Sequence, residues 1–325
     1  MQRVSHRLLL AGIALSLASP VVAQSWPQRP VSIVVPQPAG NSPDVLCRVI
    51  ADKLSRALGQ QFIVENRAGA ANLVGTQSVA RAAPDGYTFL FATSAALVMN
   101  PYTFKKLPYD PIKDFTPVAI VARSNHVVLV NPDVKVKTLA ELIALEKLTP
   151  GSLSMAVDGP RNLSGLIAQS INKQAGTSFV LVPYNTTTNA VQDSITGRVQ
   201  ATIQAASIAE PFIAAGTLRP IAVAGSRRIG SLPDVPAISE TLKSVDLQGW
   251  FMLVAPVGTP TDIIEKLSAA VAHALNSAEV QERAPALGFD VGIGDAVTPA
   301  GSKRFLEKEL AATGKVIQEL GIQPE

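Results

Sequence analysis

Residues 31–58 read VSIVVP (31–36), QPAGNSPD (37–44) and VLCRVIADKLSRAL (45–58), and their reading decides the fold. Val31–Val35 is a short apolar, largely β-branched run, the pattern of a buried strand. Gln37–Asp44 is a tight loop of small residues, and the segment after it repeats apolar side chains at helical spacing. A strand, a loop and a helix in that order aim main-chain N–H groups and the positive helix end at one point, where an anion can sit. No Lys follows the loop to grip a nucleotide phosphate. The pattern therefore points to a smaller, carboxylated ligand.

Further short apolar runs stand at Phe62–Glu65, Thr88–Ala92, Val127–Val130, Leu153–Val157, Phe179–Pro183, Ala201–Gln204, Pro220–Ala224 and Phe251–Ala255. Helical patterns occupy 43–58, 72–82, 138–147, 162–175, 187–196, 208–215, 261–275 and 299–320. Strands separated by such helices argue for an α/β protein with parallel sheets covered on both faces. Ser42-Pro43-Asp44 offers an N-cap, a proline at the first helical position and an acid in the first turn. Thr138 to Glu141 spells a capping box, and Gly59 and Gly176 stand where helix ends favour positive φ.

The first residues read as an export leader. Arg3 and Arg7 precede an apolar run from Leu8 to Ala18, and Val21-Val22-Ala23 supplies small residues before a cut ahead of Gln24. The run is shorter than the ~20 residues a membrane span needs. Removing 1–23 takes two arginines and no acid from 28 basic and 25 acidic residues, which leaves a net charge of +1. The pI near 9.0 of the whole chain therefore overstates any pull toward nucleic acid or anionic lipid. No basic run with interleaved aromatics suggests either partner. The 302 residues that follow the expected cut suggest two domains. Cys47 is the single cysteine, so no internal disulfide forms, and it reads as a small buried apolar residue. With one Cys and two His after the leader (His126 and His273), no Zn site of familiar spacing can be assembled, and no cofactor is expected.

A wider pattern then emerges. WPQRPVSIVVPQPAG (26–40), VENRAGA (64–70), APDGYTFLFATS (83–94), LPYDPIKDFTPVA (107–119), AGTLRPIAV (215–223), LPDVPAISE (232–240) and WFMLVAPVGTP (250–260) follow one another in order. Together with VNPD (130–133), TLAELIA (138–144) and VPY (182–184), they make the chain resemble the periplasmic solute-binding receptors of tripartite tricarboxylate transporters, the Bug-type family. The resemblance implies a type II periplasmic-binding architecture, two α/β lobes joined by crossing strands around a ligand cleft. Lobe 1 is expected over 24–124 plus 248–325 and lobe 2 over 125–247, with WFMLVAP returning the chain to the first unit. The resemblance further implies a periplasmic monomer that binds a small carboxylate, passes it to membrane permease subunits and catalyses nothing.

Carried over residue by residue, the first ligand loop is Gln37, Pro38, Ala39, Gly40, Asn41 and Ser42, with Asp44 matching a common acid. Asn41 stands where a second glycine is usual, and its amide either contacts ligand or tolerates positive φ. Ser42 and Asp44 also admit the plain roles of helix cap and dipole partner. The second loop, Val157, Asp158, Gly159, Pro160, Arg161, Asn162, Leu163 and Ser164, departs from the usual small residues, and Gly165 replaces a frequent His. Arg161 either clamps a ligand carboxylate or pairs with Asp158. Thr93 and Ser94 face the cleft or cap the next segment; Tyr184 lines the cleft or packs. Gln204 replaces a frequent Asp, which favours a more acidic or bulkier ligand if the side chain points inward.

The expected mechanism is capture by closure, in which a ligand bridging both helix starts favours the closed form. Two separated carboxylates should then outperform one, and the unusual second loop favours an aromatic diacid such as terephthalate over citrate. Competing classes are weaker. A hydrolase lacks G-x-S-x-G, and His126 and His273 read as structural; GAANLVG (69–75) makes a turn before a helix rather than a phosphate loop. A receptor that presents its closed form to a signalling partner is the alternative within the same architecture.

Overall fold

The computed structural model describes residues 26–243, 245, 247–291 and 294–324. The expected leader lies outside them. In chain order the strands are β1 (Val31–Val35), β2 (Phe62–Asn66), β3 (Thr88–Thr93), β4 (Phe115–Ser124), β5 (His126–Val130), β6 (Ser154–Val157), β7 (Val180–Pro183), β8 (Ala201–Ala205), β9 (Arg219–Val223), β10 (Gly249–Pro256) and β11 (Phe289–Val291). The helices are α1 (Ser42–Leu58), α2 (Leu73–Ala80), α3 (Asn100–Thr103, entered through a π-helical turn Ala95–Met99), α4 (Leu139–Leu148), α5 (Leu163–Ala175), α6 (Thr187–Ile195), α7 (Ala206–Ala214), α8 (Ile238–Thr241), α9 (Thr261–Leu275), α10 (Ala278–Ala286) and α11 (Pro299–Leu320). A 3₁₀ turn, Gly294–Val297, precedes α11.

Two sheets carry two lobes. The first has the order β11-β4-β10-β3-β1-β2 and the second β7-β6-β8-β5-β9. β1 runs parallel to β2 and β3, while β10 is antiparallel to β3 and β4, and β11 to β4. In the second sheet β6 is parallel to β7 and β8, and β5 is antiparallel to β8 and β9. The parallel sheets expected from the sequence are therefore mixed. The chain leaves the first sheet at Ser124 and enters the second at His126, at the edge where the parallel strands end, so β5 has to run against them. β10 enters the first sheet in the same way.

This topology brings two edges face to face. The carboxyl ends of β1, β3 and β4 share one edge with the start of β10; those of β6, β7, β8 and β9 share the other with the start of β5. The crossings at Ser124–His126 and Gln248–Gly249 run between them. In open α/β sheets ligands collect outside the carboxyl ends of strands.

Alternation along each strand of the first sheet buries both faces. Ile33, Val35, Phe89, Phe91, Phe251 and Leu253 face α1 and α9 through Leu46, Cys47, Ile50, Leu267 and Val271. Val34, Leu90, Met252 and Val254 belong to another cluster, which continues into the second lobe through Leu163, Leu166, Met155, Val128 and Ile203. Cys47 is fully buried in the first of these clusters, as read from the sequence.

α11 touches both lobes. Its body packs on β4 and the π turn, and Leu306 and Ile317 enter the shared cluster. Gly321 at φ 70° closes the helix, with Ile322 N donating to Ile317 O at 3.2 Å. From the second lobe, Lys173 of α5 donates to the Glu319 carbonyl, and Arg161 donates to the Gln323 carbonyl at 3.4 Å.

Candidate functional site: the edges around the crossing strands

Both helix starts converge on one residue pair. Ser42 Oγ lies 3.2 Å from Ser124 Oγ at the end of β4, and Ser124 stands opposite Gly249 of β10. A side chain at Gly249 would be crowded: a Cβ there would meet Leu163, the first residue of α5, at 3.1 Å. The starts of α1 and α5 therefore flank the same point of the crossing, from opposite lobes.

The first loop is held from behind. Burial alone would raise the Asp44 carboxyl, but bonds from Arg48, Gly40 and Asn66 outweigh it and hold the group below its usual range. Gly40 N donates to Asp44 Oδ2 at 2.8 Å, and Asn66 Nδ2 donates to Asp44 Oδ1 and to the Gln37 carbonyl, both at 3.0 Å. Arg48 pairs with the same carboxylate at 2.9 Å. Asp44 is thus a buried brace for the loop as well as an acid in the first turn of α1. The capping expectation changes too. Asn41, not Ser42, is the N-cap residue, and its φ of −73° leaves the positive φ to Gly40 at 82°. Ser42 is drawn inward to Ser124, and Asp44 caps the loop from inside the helix. Pro38, Ala39 and Gly40 remain exposed at the loop tip. The first-turn N–H groups of Ser42 and Asp44 have no intrahelical acceptor, as at any helix start.

The second loop folds onto its own helix. Ser164 Oγ accepts the Asp158 N–H at 2.9 Å, Asn162 Nδ2 donates to the Asp158 carbonyl at 3.0 Å, and Gly159 adopts φ 136°. A Cβ on Gly165 would sit 2.1 Å from the Gly159 carbonyl oxygen, so the loop backbone takes the space a side chain would use. That is why glycine replaces the expected His. Asp158 is exposed along the edge, but protein atoms surround its carboxyl. Burial there pushes its carboxyl up to about 6, against a bond from Ser164 that works the other way. Among the described residues no Lys or Arg forms an ion pair with Asp158. Arg161 reaches the tail carbonyl of Gln323 instead.

Other expected site residues make local bonds. Thr93 Oγ1 accepts the Ala96 N–H at 3.2 Å and caps the π turn, and Thr93 and Ser94 are both buried. Tyr184 OH donates to Asp193 Oδ2 at 2.7 Å, with the ring against Ala156, Ala190 and Val199. Gln204 is buried within β8, its amide donating to Thr202 Oγ1 at 2.9 Å. His273 is exposed on α9 rather than part of its apolar stripe.

Sequence reasoning passed over the crossing itself. Asn125 N donates to the Gly288 carbonyl at 3.4 Å, its carbonyl accepts the Ala206 N–H at 2.8 Å, and Gln248 Nε2 donates to its side-chain oxygen at 3.3 Å. Arg123 Nη1 donates to Gln248 Oε1 at 3.0 Å. Burial lowers His126 to about 4, against a bond with the Ser124 backbone, so the imidazole at this floor is neutral at physiological pH. The one available signal was position: polar residues at the junction of two apolar strands.

Two concavities lie elsewhere. A groove of about 720 Å³ lined by Tyr102, Pro108, Tyr109, Ile112 and Leu310 adjoins the start of β4, the far end from Ser124. A smaller hollow lies where Arg227 faces Asp290 at 3.9 Å, on the β9 and β11 side of the crossing. Neither includes the two loops.

The family profile described as tripartite tricarboxylate transporter family receptor (TctC) matches residues 46–322. BugT of Bordetella pertussis is 34% identical over 323 residues, covering 98% of each chain. Rpa4515 of R. palustris, solved with adipate, superposes with a TM-score of 0.87 at 32% identity, over 93% of this chain and 100% of that one. MatC of Rhodopseudomonas palustris, with bound malate, gives 0.79 at 30% identity, over 90% and 100%.

Proposed function

Because the chain belongs to the tripartite tricarboxylate transporter receptor family, a family of solute-binding receptors rather than enzymes, we propose that it captures a small carboxylate in the periplasm and hands it to a membrane permease. The observation that carries this reading is the convergence of the α1 and α5 starts on Ser124 and Gly249 between facing strand ends. Lobe 1 is taken as 24–124 plus 248–325 and lobe 2 as 125–247, hinged at the two crossings. Free lobes exchange between open and closed, and a ligand that touches both edges favours closure.

In this reading the Ala39 N–H at the exposed Pro38–Gly40 tip and the first-turn amide of Ser42 receive a ligand carboxylate, while Asp44, which holds the Gly40 N–H, keeps the loop in shape with Asn66 and Arg48. Charge-assisted bonds of this kind contribute ~1.5–3 kcal/mol each, and the helix end adds ~0.3–1 kcal/mol. Gly159, Asn162 and Ser164 supply the opposing wall. Arg161 serves the wall indirectly, through the tail.

A thermal-shift screen of carboxylates tests it, with aliphatic and aromatic acids up to terephthalate, the diacid favoured by the sequence. A ligand at 100 times its Kd should stabilise the protein by ~2.7 kcal/mol. If no organic acid raises the midpoint, the reading is wrong. Delivery is checked in cells, where loss of the protein should reduce uptake of the identified acid to background.

A further inference from the structure

We propose that this crevice takes a carboxylate whose far end carries a positive charge or a hydrogen-bond donor, and that Asp158 selects that end. The inference rests on the crevice being the ligand site. It starts from two carboxylates of the chain itself, Asp44 in the first turn of α1 and Asp158 at the end of β6, ahead of α5.

The two are not equivalent. Asp44 is buried and neutralised by Arg48 at 2.9 Å, so the first edge faces the crevice with main-chain donors. That edge suits an anion. Asp158 stands at the end of β6 on the opposite edge, with Ser164 as its hydrogen-bonding neighbour and no ion pair to a cation among the described residues. The nearby guanidinium of Arg161 donates away from the loop, to Gln323. Gln204 is spent on Thr202, inside the sheet.

Gly159 O lies over Gly165, so the loop backbone that follows Asp158 already rests on α5. A second ligand carboxylate brought here meets a like charge, and one of the two must take up a proton. The raised carboxyl at about 6 is what a carboxylate without a cation does. An ammonium in the same place forms a charge-assisted hydrogen bond. The geometry thus favours an amino acid with separated ends over a diacid of equal length.

Calorimetric titration of matched triplets decides: hexanoate, adipate and 6-aminohexanoate; butyrate, succinate and 4-aminobutyrate; benzoate, terephthalate and 4-(aminomethyl)benzoate. In the triplet that fits, the amino member should bind about tenfold tighter than the diacid. Asp158→Asn should weaken the amino member about tenfold and strengthen the diacid, since an amide can donate to a carboxylate. A diacid that equals or outbinds its amino partner in the unmodified protein overturns the proposal without any variant. An amino preference that survives Asp158→Asn, with an unchanged unfolding midpoint, overturns it too. If no member of any triplet binds, the crevice reading itself has failed; diacids binding while amino acids do not removes only the role of Asp158.

Discussion

Asp44 lies in the first turn of α1 and Asp158 at the end of β6, ahead of α5, and their surroundings differ. Asp44 accepts from Gly40, Asn66 and Arg48 and is a structural anion. Asp44→Ala leaves the Gly40 N–H and Asn66 amide without their acceptor, and should cost about 1–3 kcal/mol in chemical denaturation. Its pH signature has a definite sign. The folded carboxyl lies below its ordinary value, so its stabilisation is present above that ordinary value and is lost as pH falls from there through the lower folded value. The difference between unmodified protein and variant should therefore shrink in acid. The sequence revealed that an acid stands at position 44, but not its role. The partner Asn66 comes from another part of the chain, Gly40 lies in the same loop, and Arg48, visible at helical spacing, fits either reading equally.

At the scale of elements, regular segments were legible and irregular ones were not. The predicted helix 261–275 coincides with α9, and 299–320 with α11, because each carries a clear apolar stripe and a start signal. The ten-residue β4 went unread, since Pro117 interrupts its run and the charged LPYDPIKD stretch precedes it. α10 and β11 are too short and too polar for periodicity to mark them. The bend of the second loop was equally hidden: Gly165 signals only that no side chain is present, whereas the reason is the Gly159 carbonyl above it. Gly165→Ala should force that carbonyl away, since a Cβ at 2.1 Å meets backbone and not a yielding side chain. We expect a loss of about 1–3 kcal/mol in thermal unfolding, together with faster hydrogen exchange at residues 158–162.

For the whole molecule, the two-lobed plan was visible as an ordered set of motifs, while the tie made by α11 was not. That helix packs on the first lobe and is capped at its carboxyl end by Lys173 and Arg161 of the second, cations that suit the negative end of a helix. Shortening the chain after Leu320, or replacing Lys173 by Ala, removes part of this tie without touching either crossing. Small-angle scattering of the unliganded protein should then show a wider distribution of interlobe openings. An unchanged distribution would mean that α11 exerts no hold on the hinge.

The position of β10 has a consequence for how the molecule is born. It lies between β3 and β4, yet those neighbours leave the ribosome long before it does. A half-made chain has strands with a gap in the middle of their sheet and no means of closing it. Contacts so distant in sequence form slowly, so the first sheet is completed only when the last quarter of the chain takes its place.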